Sequence, residues 1–324
     1  MTGGWRTVVL GDLIVDIVVQ GDGPLRRGTD VAGRIVLRQG GSAASTARVL
    51  ARQGASSVLV TATGGDGAAD ALAGHLERAG VEVHAIRIRS APPGRMGVIV
   101  EPDGERTFVS DRGPILRIRP NLLRAAWFHD ARLLHLPGYS LLGTHLAATA
   151  ERATRLARRQ GARVSIDLAS SGFLEDFGPR EMVRTIGRIG PDLLLANRQE
   201  LDALTASVPD LALGDLAPIR VTKEGARGAR AWSRALGREV VLSRRPRAAR
   251  DTTGAGDAFD AGFLAEWLRH GAPVEGARLR STLLRSLAAA HRAAVRELRE
   301  ARPEYAIDGL SLVQTGLRRE AGRR

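Results

Sequence analysis

The strongest constraint on the fold is a repeated alternation of short apolar runs, glycine-containing turns and helical patterns. The apolar run 57–63 is followed by a turn and a helical pattern over 68–79, and the run 131–136 is followed in the same way by a pattern over about 144–160. This order is typical of a parallel sheet that carries helices on its faces. The sequence therefore predicts an α/β fold, with a doubly wound, mostly parallel sheet as the middle of three layers.

Two regions interrupt this alternation and are predicted to form a small accessory sheet. Residues 97–109 contain a strand, a Pro-Asp-Gly turn and a second strand, which is the pattern of a hairpin. Extended runs between Ile17 and Arg38 supply further strands. We expect these segments, about 17–38 and 95–110, to form a β lid over the main sheet.

Length, hydrophobicity and cysteine content narrow the class of protein. A chain of 324 residues, 44% of them hydrophobic, can bury a large core, and we expect one domain over 1–312 followed by a basic tail over 313–324. No apolar run is long enough to span a bilayer and no signal-peptide pattern is present, so a cytoplasmic protein without a membrane partner is predicted. The absence of cysteine excludes disulfides, thiolate zinc sites and a cysteine nucleophile.

The formal net charge of +13 raises the question of a nucleic-acid partner. The basic residues are almost all arginines, spread over stretches such as 152–159 and 278–302, where they alternate with Leu, Ala and Glu and not with aromatic residues. This distribution is typical of solvated helix faces. We therefore expect no nucleic-acid partner, and we expect the charge to favour phosphorylated ligands.

The loop 251–257, Asp-Thr-Thr-Gly-Ala-Gly-Asp, runs directly into an apolar helical pattern. The first amide groups of a helix lack partners within the helix and carry partial positive charge, so such a loop favours a bound anion. Glycines at 254 and 256 have no Cβ and would allow a phosphate oxygen to approach the backbone. The loop is therefore predicted to bind phosphate.

Asp257 distinguishes this loop from a simple phosphate site. A carboxylate beside a bound phosphoryl group can accept the proton of an attacking hydroxyl, which would make Asp257 a general base. The alternative is that Asp257 only complements the helix dipole in the first turn.

Several other polar residues stand at the ends of predicted strands, where an open α/β sheet builds its site. Asp16 lies among apolar neighbours and is either paired structurally or turned toward a ligand, and Gly40-Gly41 begins a helix that offers Ser45 to a ligand. Lys223 is the only lysine of the chain. The strand-end residues are Asp167, Asn197, Glu200 and Lys223.

The stretch 251–259, Asp-Thr-Thr-Gly-Ala-Gly-Asp-Ala-Phe, resembles the second signature of the ribokinase-like, or PfkB, carbohydrate kinase family. Weaker matches occur in the order of the family over about residues 7–300. These matches are Gly11-Asp12 through Asp16, Gly40-Gly41, Gly64 with Asp66, the hairpin at 104–107, Asn197 with Glu200, and Thr222 through Gly228.

This resemblance implies ATP-dependent phosphorylation of a hydroxyl on a sugar or sugar-like molecule. Asp257 would be the catalytic base, and the substrate would be bound by Asp16, Gly40, Gly41 and Ser45. The remaining implied roles are an anion hole at Gly254, Ala255 and Gly256, nucleotide binding at Asn197, Thr222, Lys223 and Gly225, Mg²⁺ held through water by Asn197 and Glu200, and a K⁺ site at Asp251. The lid would mediate a homodimer.

Three departures from the family pattern leave the acceptor and the K⁺ site open. Ser45 replaces an asparagine, the stretch 111–115 lacks the usual Gly-Ala-Asn, and 296–303 lacks the usual Gly-Ala turn. A sugar kinase is the main hypothesis. A nucleoside kinase would need an aromatic side chain to stack on the base, for which Phe108 and Tyr139 are candidates. A sensor that has lost turnover is the third hypothesis, and the intact Asp257 argues against it.

Overall fold

The computed structural model describes residues 5–65, 67–103, 105–141, 143–244, 252–300, 302–308 and 311–318. Its centre is a nine-stranded sheet with the strand order β13-β12-β11-β10-β9-β8-β1-β4-β5. Pairing is parallel from β5 to β11 and antiparallel between β11, β12 and β13. The strands of this main sheet are β1 (Arg6–Leu10), β4 (Ser56–Thr63), β5 (Val81–Arg87), β8 (Ala131–Pro137), β9 (Arg163–Asp167), β10 (Leu193–Asn197), β11 (Ile219–Lys223), β12 (Gly228–Ser233) and β13 (Arg238–Ser243).

Helices cover both faces of the main sheet and bury two separate hydrophobic clusters. One face carries α1 (Ser42–Arg52), α2 (Gly67–Arg78), α7 (Ala255–Arg269) and α8 (Leu279–Glu297). The other carries α3 (Gly143–Arg158), α4 (Ser171–Phe177), α5 (Pro179–Ile189) and α6 (Arg198–Ser207). The central strands are buried on both sides because helices cover both, which explains their continuous apolar runs. The predicted three-layer, doubly wound α/β fold is confirmed.

Helix α7 is buried almost all round, unlike the amphipathic helices near the surface. It packs against α8 so closely that a Cβ at Gly262 would lie 2.6 Å from the Cβ of Ala293. Leu264 and Trp267 of α7 are fully buried. The loop at the start of α7 is therefore attached to a rigid part of the core.

A second sheet of six strands, which we call the lid, has the order β15-β14-β3-β2-β6-β7. It contains the two segments that the sequence predicted, with slightly wider bounds. Its strands are β2 (Ile14–Gly21), β3 (Gly33–Gly40), β6 (Gly94–Val100), β7 (Arg106–Asp111), β14 (Arg302–Asp308) and β15 (Ser311–Arg318). Strand β2 follows β1 after three residues, so the chain passes directly from the main sheet into the lid.

The sequence did not predict the hairpin β14–β15, which adds to the free edge of β3. Glu304 forms ion pairs with Arg34 and Arg38 of β3, and Tyr305 pairs with Leu37. The ring of Tyr305 is buried and stands edge-on to His75 of α2, with 5.9 Å between ring centroids. The hairpin therefore connects the lid to the body.

The chain ends differ in detail from the sequence analysis. The segment 313–324, expected to be a tail, includes most of strand β15, while residues 319–324 lie outside the described residues. The predicted domain boundary at residue 312 stays a prediction. Within the described ranges, no helix is both long and apolar enough to cross a bilayer.

Candidate active site

The predicted phosphate loop forms the N-terminal end of α7. Gly254 is the N-cap and adopts a left-handed conformation with φ 72°, which glycine tolerates best. The amide of Ala255 donates to the carbonyl of Thr252 over 3.2 Å, whereas the amides of Gly256 and Asp257 donate to no group among the described residues. Two amides with unmet hydrogen-bonding capacity thus lie at the positive end of a 15-residue helix, as an anion site requires.

Asp257 lies in the first turn of α7 and contacts the start of α1. The hydroxyl of Ser42 donates to Oδ1 of Asp257 over 2.6 Å. Burial raises the pKa of Asp257 to about 7, and Asp167 and Asp12 contribute in the same direction, while Ser42 and Lys223 lower it. A carboxylate with a pKa near 7 is suited to accept a proton at neutral pH.

Asp16 and Gly40 are brought together on one face of the lid, near its junction with the body. A Cβ at Gly40 would lie only 1.9 Å from Oδ1 of Asp16, so only glycine leaves room for the carboxylate here. Gly41 is the N-cap of α1 with φ 100°, and a Cβ there would lie 2.4 Å from the carbonyl oxygen of Asp12. Ser45 lies one turn after Ser42 on α1 and is partly buried.

A buried ion pair that the sequence did not reveal stands beside these residues. Asp12 accepts from Nη1 of Arg112 over 2.5 Å and from the amide of Ala43 over 3.3 Å. The Arg112 guanidinium lies over the ring of Tyr139, 3.5 Å from its centroid. Burial raises the pKa of Tyr139, and the charge of Asp257 contributes in the same direction, so this cluster adjoins the N-terminal end of α7.

Asn197 and Glu200 form a capping box at the start of α6. The Asn197 side chain accepts from the amide of Glu200 over 2.8 Å, and Glu200 accepts from the amide of Asn197 over 2.8 Å. Burial, followed by the charge of Asp167, raises the pKa of Glu200 to about 7. Carboxylate and amide oxygens close to a second carboxylate fit Mg²⁺, because a divalent cation would relieve this repulsion.

Lys223 lies at the end of β11, level with Asn197 of the neighbouring strand. Its Nζ donates to Oδ1 of Asp167 over 2.6 Å and to Oδ2 of Asp260 over 3.2 Å. Burial alone would lower the pKa of Lys223, but these carboxylates raise it above its usual value. Thr222 is buried beside it, whereas Gly225 is exposed, with φ 58°.

Within the part of the chain that the structure describes, the side chain of Arg106 connects the lid to the phosphate loop. The guanidinium of Arg106 on β7 donates to Oγ1 of Thr252 over 2.6 Å and also to Oγ1 of Thr253. This contact closes the lid over the start of α7 although the residues are 146 positions apart.

The structure thus gathers most predicted site residues around the start of α7 and the carboxyl ends of β9, β10 and β11. Asp251, the residue expected to bind K⁺, lies outside the described residues. Within the described ranges, no group of three or more acidic or histidine side chains could itself hold a metal ion. Sequence reasoning missed the contacts of Ser42, Asp12, Arg112 and Asp260, although the small-residue helix start and the Asp-x-x-Asp spacing on α7 were visible signals.

Comparison with a solved structure shows which fold the chain shares. A Ribokinase II candidate from E. coli, solved in complex with ATP and Mg²⁺, superimposes with a TM-score of 0.73 at 19% identity, covering 89% of this chain and 92% of that chain. The fold is ribokinase-like.

Two curated relatives are named as kinases. A fructokinase from Klebsiella pneumoniae is 28% identical over 277 residues, covering 82% of this chain and 85% of the relative. An ATP-dependent ribose-1-phosphate kinase from Halopiger xanaduensis is 30% identical over 236 residues, covering 72% and 74%.

The model of the pfkB family carbohydrate kinases matches residues 6–298, and the chain belongs to that family. It is an ATP-dependent phosphotransferase with an alcohol group as acceptor, as the sequence predicted.

Proposed function

We propose that this kinase phosphorylates a hydroxyl of a sugar or sugar-like small molecule, with Asp257 as the general base. The observation that carries the proposal is the position of Asp257, in the first turn of α7. It lies beside amides that donate to no described residue, and it accepts a hydrogen bond from Ser42. The acceptor hydroxyl would lose its proton to Asp257 as its oxygen bonds to the γ-phosphorus. The bond from that phosphorus to the β–γ bridging oxygen would break, releasing ADP.

The anion hole would be formed at Gly254, Ala255 and Gly256. The hydrogen bond from the Ala255 amide to Thr252 favours Gly256 and Asp257 as the amides that meet the phosphoryl oxygens. Asp16, Gly40, Gly41 and Ser45 would bind the acceptor.

The nucleotide would lie along the ends of β10 and β11, near Asn197, Thr222, Lys223 and Gly225. Asn197 and Glu200 would hold Mg²⁺ through water, and the bound ion would neutralise part of the phosphate charge. A K⁺ site at Asp251 and a cytoplasmic location, where ATP is available, remain parts of this proposal.

Nucleosides form the second candidate class of acceptor, and one observation favours them. Phe108 is 51% exposed and lies on the same face of the lid as Arg106 and Asp16, by the alternation of the paired strands. The other candidate for stacking, Tyr139, is covered by Arg112 and contacts Phe173 at 5.2 Å. Replacing Phe108 with Ala should raise KM only for an acceptor that carries a base.

A homodimer through the lid is supported by two apolar side chains that the lid exposes. Ile35 and Val109 are 67% and 64% exposed, and the strand register places both on the face opposite to Asp16. Light scattering on the Val109→Glu variant tests this. A dimeric wild-type protein with a monomeric variant supports the proposal, and a wild-type monomer contradicts it.

The proposed activity is tested by measuring ADP release over pentoses, hexoses, keto-acid sugars and nucleosides, with wild-type protein and Asp257→Asn. We expect at least one acceptor, and a loss of kcat of about 10²–10⁴-fold in the variant with little change in ATP binding. Turnover of the variant close to wild type would falsify the assignment of the base. If the wild-type protein releases no ADP with any of these acceptors, the result would favour a sensor that has lost turnover.

A further inference from the structure

Lys223 links three elements that meet behind the phosphate loop. It ends β11, while Asp167 ends β9 and Asp260 lies on α7. The Nζ atom is 2.6 Å from Oδ1 of Asp167 and 3.2 Å from Oδ2 of Asp260. The side chains are 12%, 6% and 1% exposed, respectively, so these are buried ionic contacts.

The same ammonium lies directly behind the phosphate loop. A Cβ added to Gly256 would be 3.8 Å from Nζ of Lys223. Asp260 follows Asp257 by three positions on α7, so the contact to Asp260 fixes the turn that carries Asp257.

Lys223 is also the cation of an otherwise acidic cluster. The charges of Asp167, Asp260 and Glu200 all raise its pKa, and its own charge lowers the pKa of Asp257. Removing one partner of a buried charge cluster leaves the others uncompensated, so loss of the ammonium would destabilise the junction of β9, β11 and α7.

We propose that Lys223 is a positioning residue for phosphoryl transfer, whose ammonium fixes the first turn of α7 against the ends of β9 and β11 and places a buried positive charge behind Gly256. This inference rests on the proposed function, since it concerns the anion hole and the base. It adds to the nucleotide binding proposed above, because two of the three N–H donors of Nζ already meet carboxylates.

The first test compares Lys223→Met with Arg230→Met. Arg230 is a basic residue on the neighbouring strand β12 that also pairs with two carboxylates, Glu224 and Glu239, but its side chain is 40% exposed, which makes it a matched control. We expect Lys223→Met to lower kcat by about 10–100-fold and to change KM for ATP by less than about threefold. A kcat within about twofold of wild type, or an effect confined to KM, would overturn the proposal.

The second test restores the charge chemically. The chain has no cysteine, so Lys223→Cys introduces a unique thiol. Alkylation with 2-bromoethylamine, in which a C–S bond forms and bromide leaves, returns an ammonium at nearly the original length, whereas iodoacetamide adds a neutral group. Recovery of kcat with the amine and not with the amide supports the role, and equal activity of the two adducts contradicts it.

A third measurement separates failure of this inference from failure of the proposed function. Because Lys223 is the only lysine, ¹⁵N-lysine labelling gives a single side-chain ammonium signal. We expect this signal to shift in Asp260→Asn and on addition of Mg·ATP. If the wild-type protein phosphorylates no acceptor, the proposed function fails, and the NMR signal then tests the role of Lys223 independently. A signal that shifts neither in Asp260→Asn nor on addition of Mg·ATP overturns that role.

Discussion

Ser42 and Asp257, 215 residues apart, are joined by a hydrogen bond of 2.6 Å from the serine hydroxyl to Oδ1 of the carboxylate. The bond connects the N-terminal end of α1 to the N-terminal end of α7. Since Gly40 and Gly41 directly precede α1, this contact holds the proposed acceptor-binding region next to the proposed base. Removing the hydrogen bond from Ser42 should therefore change the pKa of Asp257.

The first prediction concerns the pH dependence of Ser42→Ala. Asp257 must be ionised to accept a proton, and its pKa of about 7 means that kcat/KM should fall as the pH drops through 7. The hydrogen bond from Ser42 lowers this pKa, so its loss should move the acidic limb upward by roughly 0.5–1 pH unit. The profile of kcat/KM between pH 5 and 9 measures this shift.

Ser45→Ala serves as the comparison, since Ser45 lies one turn further along α1 and has no bond to Asp257 in the described residues. The acidic limb of the kcat/KM profile of Ser45→Ala should lie at the wild-type pH even if the KM of this variant changes. An unmoved limb in Ser42→Ala would remove Asp257 as the titrating group.

The second prediction concerns the stability of Asp257→Asn. The pKa of Asp257 is raised from 3.8 to about 7 on folding, so its contribution to stability is fully present below about pH 4 and is lost as the pH rises through 7. Asparagine cannot ionise and avoids this loss. Denaturant unfolding should show the variant to be more stable than wild type by about 2–4 kcal/mol at pH 8. The two proteins should have nearly equal free energies of unfolding at pH 4. A stabilisation of the same size at pH 4 and pH 8 would point to another cause.

The third prediction concerns Gly40→Ala. A Cβ at this position would lie 1.9 Å from Oδ1 of Asp16, so the carboxylate must turn away. If Asp16 binds acceptor hydroxyls, KM for the acceptor should rise by about tenfold or more, the value of one or two hydrogen bonds to a charged group. Steady-state kinetics with the acceptor found in the screen would measure it.

Gly187→Ala is the control for that substitution. Gly187 lies within α5, and a Cβ there would meet nothing within 4 Å. Its KM should match wild type, and an equal KM in Gly40→Ala would assign Asp16 a structural role only.

The fourth prediction concerns the contact of the lid with the phosphate loop. Arg106→Met removes the bonds to Thr252 and Thr253 and should favour an open lid. An open lid admits water to the site. The kcat with acceptor should therefore fall by about tenfold, and the ratio of ADP release without acceptor to this kcat should rise. Arg95→Met, which removes an exposed ion pair to Asp111 on the same sheet, should show neither change. Coupled assays of ADP release, with and without acceptor, would measure both rates in the two variants.

Much of the main sheet was predictable because its strands are buried on both faces and its helices are local patterns. The position of the phosphate loop at the start of a helix was also predictable, since its glycines and the apolar pattern that follows lie within a few residues of each other. The partners of that loop were not, because Ser42 and Arg106 come from segments more than a hundred positions away. No local pattern records such contacts.

The C-terminal hairpin shows the same limit more strongly. The helical pattern was expected to continue to Arg302, but α8 ends at Glu297 and β14 begins at Arg302. The backbone there is extended because the edge of β3 accepts it and because Glu304 meets Arg34 and Arg38. Tertiary pairing has overridden the local preference.

The position of this hairpin also sets an order of assembly on the ribosome. Residues 302–318 emerge after every strand of the main sheet, yet they cover the edge of β3, which is made near the beginning. The nascent chain must therefore carry an uncovered strand edge through most of its synthesis, and such edges invite pairing with other chains. The arginines of β3 are suited to protect that edge, because charged side chains discourage such pairing until Glu304 arrives to neutralise them.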